Sequence, residues 1–340
     1  MLVVVDHNPV LFERLRAELT DCGPPVEDRK TEPPATSGPQ EPSGDLPEVR
    51  VIASRFERGL SGARNTGIAE ARGEIIAFLD DDAVACEDWL SWFADSYTGP
   101  EVRGVGGRTV PAWQSGRRPN WYPEEFDWVH GASYRGMPTG SARVRNVLGG
   151  NASFRRSALV EVGGFDTGLG RGADAGAGAR PRTDRAGTNR SAPRRGLGLV
   201  RRRAVRPLGG EETELCIRMQ QIDPAAVFLF EDRAVIHHKV PLERERFGYL
   251  VRRCWAEGLS KAAVAGHVGA AAGLSTERQY VTRTLPLGVL RGLGRAARGD
   301  LSGAAMAGAI VAGFLVTVAG YGAGAISARS GSRAETEGAR

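Results

Sequence analysis

Between Leu2 and Leu79, short apolar runs alternate with segments of helical spacing, and few folds accommodate that order. "LVVVD" reads as a strand, and Leu11, Phe12, Leu15 and Leu19 follow at helical intervals. "VRVIAS" resumes a strand, "GLSGARNTGIAEARG" reads as a glycine-broken entry into a helix, and "EIIAFL" is the next strand. Strand and helix taking turns argue for a parallel sheet with helices on its faces. A chain of 340 residues has room for one large α/β domain with an appendage, or for two domains. In such sheets a ligand sits beyond the C-terminal ends of the strands. Asp6 and the run Asp80, Asp81 and Asp82 occupy those ends.

Three adjacent carboxylates at the tip of a buried-looking strand repel one another, and burying them uncompensated is costly. A divalent cation, a basic ligand or plain solvent must relieve that repulsion, and a solvated acidic turn is the blander reading. Further along, "GGEETELCIRMQQ" places Glu211, Glu212 and Glu214 in the first turn of a helix, where the macrodipole alone favours acidic side chains. Cys22, Cys86, Cys216 and Cys254 are far apart with no metal-type spacing, which suits reduced thiols in a cytosolic setting. "MLVVVDHNP" lacks the basic segment and long apolar core of a signal peptide.

Two stretches have no core-forming pattern. Residues 23–48 are rich in Pro, Ser and Glu and are expected to form a mobile loop. Residues 171–206 are rich in Arg, Gly and Ala and are expected to be a disordered insertion. Arginine runs can attract phosphate backbones or anionic lipid, but this one lacks interleaved aromatics, and no nucleic-acid partner is expected. "ERERFGYLVRRCWAEGLSKAAV" puts Phe247, Leu250, Val251, Cys254 and Trp255 on one stripe, as in an amphipathic helix of a core or a membrane surface. Residues 301–328 carry no charge and exceed the length that spans a bilayer. The expected organisation is one domain over residues 1–265, a helical linker over 266–300, a transmembrane helix over 301–328 and a disordered tail over 329–340. The protein is accordingly expected at a membrane, with its main domain on the cytoplasmic side.

Five segments in order, "VVVDHNP", "GLSGARNTGIAEARGEIIAFLDDDA", "VRNVLGGNASFRRSALVEVGGFD", "GGEETELCIR" and "HHKVP", resemble the family 2 glycosyltransferases, most closely membrane-associated bacterial and archaeal members. The resemblance implies a GT-A fold: a mostly parallel sheet with helices on both faces, here followed by a C-terminal helical or membrane segment. It implies metal-dependent, inverting transfer from a nucleoside-diphosphate sugar, a UDP-sugar foremost, to the hydroxyl of a lipid-linked or cell-envelope glycan. The cofactor implied is Mn²⁺ or Mg²⁺, which suits carboxylate ligands. Asp80-Asp81-Asp82 matches the family's Asp-x-Asp motif, so Asp80 is expected to meet the ribose and the metal, and Asp82 the metal. Asp81 is placed with the nucleotide-sugar contacts in no fixed role. Asp6 matches the aspartate that reads the base, Arg64 a basic residue near the nucleotide, and Asn151 a residue of the sugar and acceptor pocket. Glu211-Glu212 matches the acidic pair in which the second member is the catalytic base, with Glu where Asp is commoner. His238 matches a further metal ligand, and His237 is the fallback. The family also carries a strand between the Asp6 strand and the Asp80 strand, whereas Met1 here abuts the Asp6 strand. That departure leaves two expectations: a natural start upstream, or a truncated, catalytically inactive, membrane-tethered relative.

Overall fold

The computed structural model describes residues 1–20, 48–170, 209–269 and 277–337, with side chains described as far as residue 327. The loop expected over 23–48, apart from Glu48, and the insertion expected over 171–206 lie outside the described residues, as does the assigned end of the tail, 338–340.

The alternation read from the sequence is present. β1 (Leu2–Val5) leads into α1 (Pro9–Thr20), β2 (Arg50–Ala53), α2 (Leu60–Glu70) and β3 (Ile75–Leu79). β1 and β2 are parallel, in register from Leu2 opposite Arg50 to Val5 opposite Ala53. Three consecutive valines in β1 favour the pleated conformation through their branched Cβ.

A second, six-stranded sheet holds β3, β4 (Ala83–Ala85), β5 (Val102–Trp113), β6 (Ala142–Val144), β7 (Asn151–Arg155) and β8 (Val227–Val240). Its order is β3-β7-β5-β8-β4, with β6 also on β8. The sheet is mixed: β5 and β8 are parallel, while β7 runs against both β3 and β5, and β8 runs against β4 and β6. Among the described residues no strand joins β1 to β3. The seam falls between the strand that carries Asp6 and the strand that carries Asp80, where the resemblance places a further strand.

Side-chain alternation along the strands supplies two cores. On one face Ile76, Phe154 and Phe228 pack with Ile68 of α2, Leu159 of α4 (Arg156–Glu161) and Leu215 of α5 (Glu211–Ile222). On the other, Val105 and Ile236 pack with Trp89 and Phe93 of α3 (Trp89–Ser96). Helices therefore cover both faces.

The C-terminal part is built from α6 (Phe247–Val268), α7 (Leu285–Ala297) and α8 (Ser302–Glu337). A π-helical turn, Tyr280–Thr284, runs directly into α7. Only part of the stripe expected on α6 is buried: Leu250 and Cys254 are enclosed, whereas Phe247 and Trp255 are 47% and 40% exposed. α8 is apolar over Ser302–Ser327, and 26 helical residues measure about 39 Å, more than the ~30 Å hydrocarbon core. Yet 39% of the apolar window is buried within the protein. The contact with α6 is intimate because glycines line it: a Cβ on Gly258 would collide with the Thr317 carbonyl, and one on Gly320 with the Trp255 carbonyl. Small residues let helix backbones approach in this way.

Candidate active site

β3 ends at Leu79, and Asp80 follows half-buried, Asp81 exposed and Asp82 half-buried. The chain then turns into β4, which pairs antiparallel with the end of β8, Ala83 opposite His238 and Val84 opposite His237. That register decides between the two histidines. Alternation turns His238 inward, 4% exposed, and leaves His237 on the outer face. His238 Nε2 lies 2.8 Å from Asp82 Oδ1, and the Lys239 N–H donates to the Asp82 carbonyl at 2.9 Å. Arg244 Nη1 stands 3.4 Å from Asp82 Oδ2. The hydrogen bond with His238 holds the Asp82 carboxyl below the usual range, against the opposing effect of burial, and the charges of His238 and Arg244 add to the lowering.

Asp80, Asp82 and His238 each offer one ligand atom, and the three atoms lie within 4.8 Å of one another. Two carboxylate oxygens and an imidazole nitrogen make a donor set fit for Mn²⁺ or Mg²⁺.

Arg64, on α2, joins this corner to the acidic pair on α5. Its guanidinium is 7% exposed, donates from Nη1 to Glu211 Oε1 at 3.1 Å and stands 3.6 Å from Asp80 Oδ1. It also lies over the rings of Phe165 and Phe78, at 5.3 and 6.0 Å. The backbone of "LGGN" makes room for both groups. A Cβ on Gly150 would sit 2.5 Å from Asp80 Oδ2, and one on Gly149 2.8 Å from Arg64 Nη1. Sequence reasoning passed over these two glycines, whose doublet was the available signal.

Glu211 and Glu212 open α5. Glu212 lines the cleft, but its Oε2 is buried without a hydrogen-bond partner, and Oε1 receives only a long contact from the Gly149 N–H at 3.5 Å. Burial first, and the charge of Glu211 second, raise the Glu212 carboxyl above its usual range, with Arg64 opposing. Once ionised, a carboxylate whose proton affinity is raised in this way is a stronger base than an ordinary glutamate, the property a general base needs.

Asp80, Arg64, Glu211 and Glu212 open into one cavity of about 860 Å³. Three other expected residues have the following surroundings. Asn151 is fully buried with its amide occupied: Oδ1 accepts from Trp89 Nε1 at 2.7 Å, and Nδ2 donates to the Arg108 and Ala234 carbonyls at 3.0 and 3.1 Å. It ties α3, β5 and β8 together and is not among the cavity-lining residues. Asp6 ties β1 to the residue before α2, Oδ2 accepting from the Gly59 N–H at 3.0 Å, and its other oxygen pairs with His7 at 2.7 Å. Asp81 points to solvent.

A mixed sheet with helices on both faces thus carries, beyond the end of β3, a group of side chains able to hold a cation next to a desolvated carboxyl. Residues 36–163 match the family model described as glycosyl transferase family 2. The chain is 32% identical over 223 residues to a glucosyl-dolichyl phosphate glucuronosyltransferase of Haloferax volcanii, an alignment covering 65% of this chain and 61% of that protein. It is 28% identical over 131 residues to a pre-mycofactocin glycosyltransferase of Mycobacterium tuberculosis, covering 37% of this chain and 27% of that one. A solved mannosyltransferase of Pyrobaculum calidifontis, in complex with GDP-Man and Mn²⁺, overlaps 79% of this chain and 69% of its own at 17% identity and a TM-score of 0.38. The chain thus spans about three fifths of the first of these relatives.

Proposed function

We propose that the protein transfers a sugar, with inversion, from a nucleoside-diphosphate donor to a hydroxyl of a lipid-linked acceptor. The observation that carries this reading is the position of Asp80. It belongs to the group that can hold a cation, and it shares one cavity with Glu212, the carboxyl whose environment suits a base. A divalent ion bound by Asp80, Asp82 and His238 would supply neutralisation of the charge growing on the departing diphosphate. Arg64 ties Asp80 to Glu211 and so fixes the separation between the donor corner and the base. Glu212 takes the proton of the acceptor hydroxyl as that oxygen attacks the anomeric carbon. Support for a lipid-linked acceptor comes from the relative named for glucosyl-dolichyl phosphate and from the apolar helix α8, which walls the same cavity. With α8 in or on a bilayer, the domain works at the cytoplasmic surface.

The test is Mn²⁺-dependent hydrolysis or transfer across a panel of nucleotide sugars. Wild type should turn over at least one donor, and Glu212→Gln should lose turnover while retaining donor affinity. Full activity in that variant would remove Glu212 from the reaction. A second reading, a relative that binds nucleotide without turnover, draws on the seam between β1 and β3. Donor binding with no turnover of any donor in wild type would favour it.

A further inference from the structure

The cavity extends well beyond the catalytic corner. Arg253, Glu257 and Lys261 lie four residues apart on α6 and all line it, as do Phe314, Val318 and Tyr321 on one face of α8. Most of the lining charge is already matched. Lys261 Nζ stands 3.2 Å from Glu257 and 2.7 Å from Glu277, and Arg145 reaches Glu277 at 3.4 Å. Arg143, also on the wall, is exposed to solvent, whereas Arg253 is half-buried. Among the described residues it forms no ion pair, and its Nε is buried with no hydrogen-bond partner. Glu257, one turn along, is turned to Lys261 instead. A half-buried guanidinium without a counter-charge is costly, and an anion entering the cavity would remove that cost.

The apolar side is continuous with the surface. Val318 lines the cavity and is also 52% exposed, and Val311 and Leu315 of the same helix are 47% and 59% exposed. The close crossing of α6 and α8, where a Cβ on Gly320 would meet the Trp255 carbonyl, brings the Arg253 turn beside this part of α8. One cavity therefore presents a base and a donor corner, an unmatched cation, and an apolar wall running out to an exposed apolar helix. A soluble acceptor would need no apolar exit, and a neutral glycolipid would need no cation.

We propose that Arg253 forms an anion subsite for the phosphate of a polyisoprenyl-phosphate acceptor, whose hydrocarbon chain leaves over Phe314, Val318 and Tyr321. This rests on the reading of the cavity as the acceptor side of a glycosyltransferase. The accepting hydroxyl belongs to a sugar already carried on that phosphate: its oxygen bonds to the anomeric carbon, the bond to the diphosphate breaks with its electron pair leaving on the diphosphate, and the hydroxyl proton passes to Glu212.

The test is binding of phytanyl phosphate to the full chain in detergent micelles, followed by tryptophan fluorescence, since Trp128 lines the cavity. Phytanol serves as the uncharged control, and UDP with Mn²⁺ reports the donor corner separately. Arg253→Gln should weaken phytanyl phosphate by about 10–100-fold, the worth of a charge-assisted hydrogen bond, and leave phytanol binding as it was. Arg253→Lys should recover part of the loss, and both variants should melt with wild type. Three results would overturn the proposal: unchanged affinity for phytanyl phosphate, an equal loss for phytanol, or an equal loss for UDP with Mn²⁺, which would put Arg253 on the donor. Failure of wild type to bind any nucleotide sugar would sink the donor reading, yet the comparison of phytanyl phosphate with phytanol would still decide the role of Arg253.

Discussion

Glu212→Gln should make the protein more stable as well as inactive. Glu212 has a buried, unpartnered Oε2 beside Glu211, and its carboxyl is raised above the ordinary value of 4.5 by burial and by that neighbour. The folded state therefore keeps a proton that the unfolded chain has lost. Stability must fall as pH rises from 4.5 through neutrality, because the folded state binds more protons over that window. Each pH unit of mismatch is worth about 1.4 kcal/mol, so between pH 4.5 and pH 7 the ceiling is ~3 kcal/mol. Attraction to Arg64 offsets part of this, and a net gain of about 1–3 kcal/mol is expected near pH 7.5. Glutamine has the same shape, keeps an acceptor for the Gly149 N–H and carries no charge. At roughly 2–4 °C per kcal/mol for chains somewhat smaller than this one, melting should rise by several degrees. Thermal unfolding of both proteins in EDTA, at pH 5 and pH 7.5, measures the effect. The gain should be small at the lower pH and grow at the higher. A gain of the same size at both, or none at pH 7.5, would refute the claim that Glu212 is a desolvated carboxyl.

The remaining predictions bear on neighbouring groups. Asp82→Ala removes a candidate metal ligand and the partner of His238, and should weaken Mn²⁺-dependent donor binding by about tenfold or more; an unchanged Mn²⁺ titration would take Asp82 out of the metal site. Gly150→Ala places a methyl 2.5 Å from Asp80 Oδ2, so Asp80 must move; donor affinity should fall by about tenfold or more while melting changes little, and intact affinity would show that the Asp80 position is not critical. His130 is buried among Trp113, Tyr122 and Tyr249, and burial first, then the charges of Arg244, His238, Arg118 and Arg253, push its pKa down to about 3. Its ring should stay neutral by NMR from pH 7 to pH 4.5, and titration near 6.5 would show the ring to be solvated.

What the sequence disclosed depended on how local the cause was. The apolar run into Asp80 is contiguous, so the strand and its acidic tip could be read directly. The choice between His237 and His238 needed the register of β4 on β8, a pairing between residues more than a hundred positions apart. Asn151 illustrates the opposite case. Its motif suggested a pocket residue, but its amide is consumed by Trp89 and two strand carbonyls, contacts that no short window contains. Gly149 and Gly150 were visible as a doublet, yet their use depends on Arg64 and Asp80 arriving from distant elements. The packing of α8 was the least legible. Its composition is apolar all round, so nothing in the pattern marked the side that meets α6.

The glycine-lined crossing of α6 and α8 leaves almost no slack between a greasy rod and the machinery beside it. A tether on a flexible stalk would let a catalytic head sample hydroxyls at many heights above a lipid surface. Here the rod is itself part of the reaction vessel. On the proposed reading, the height of α8 at a lipid surface sets the reach of Glu212 with it, so that only sugars presented at one depth would meet the carboxyl.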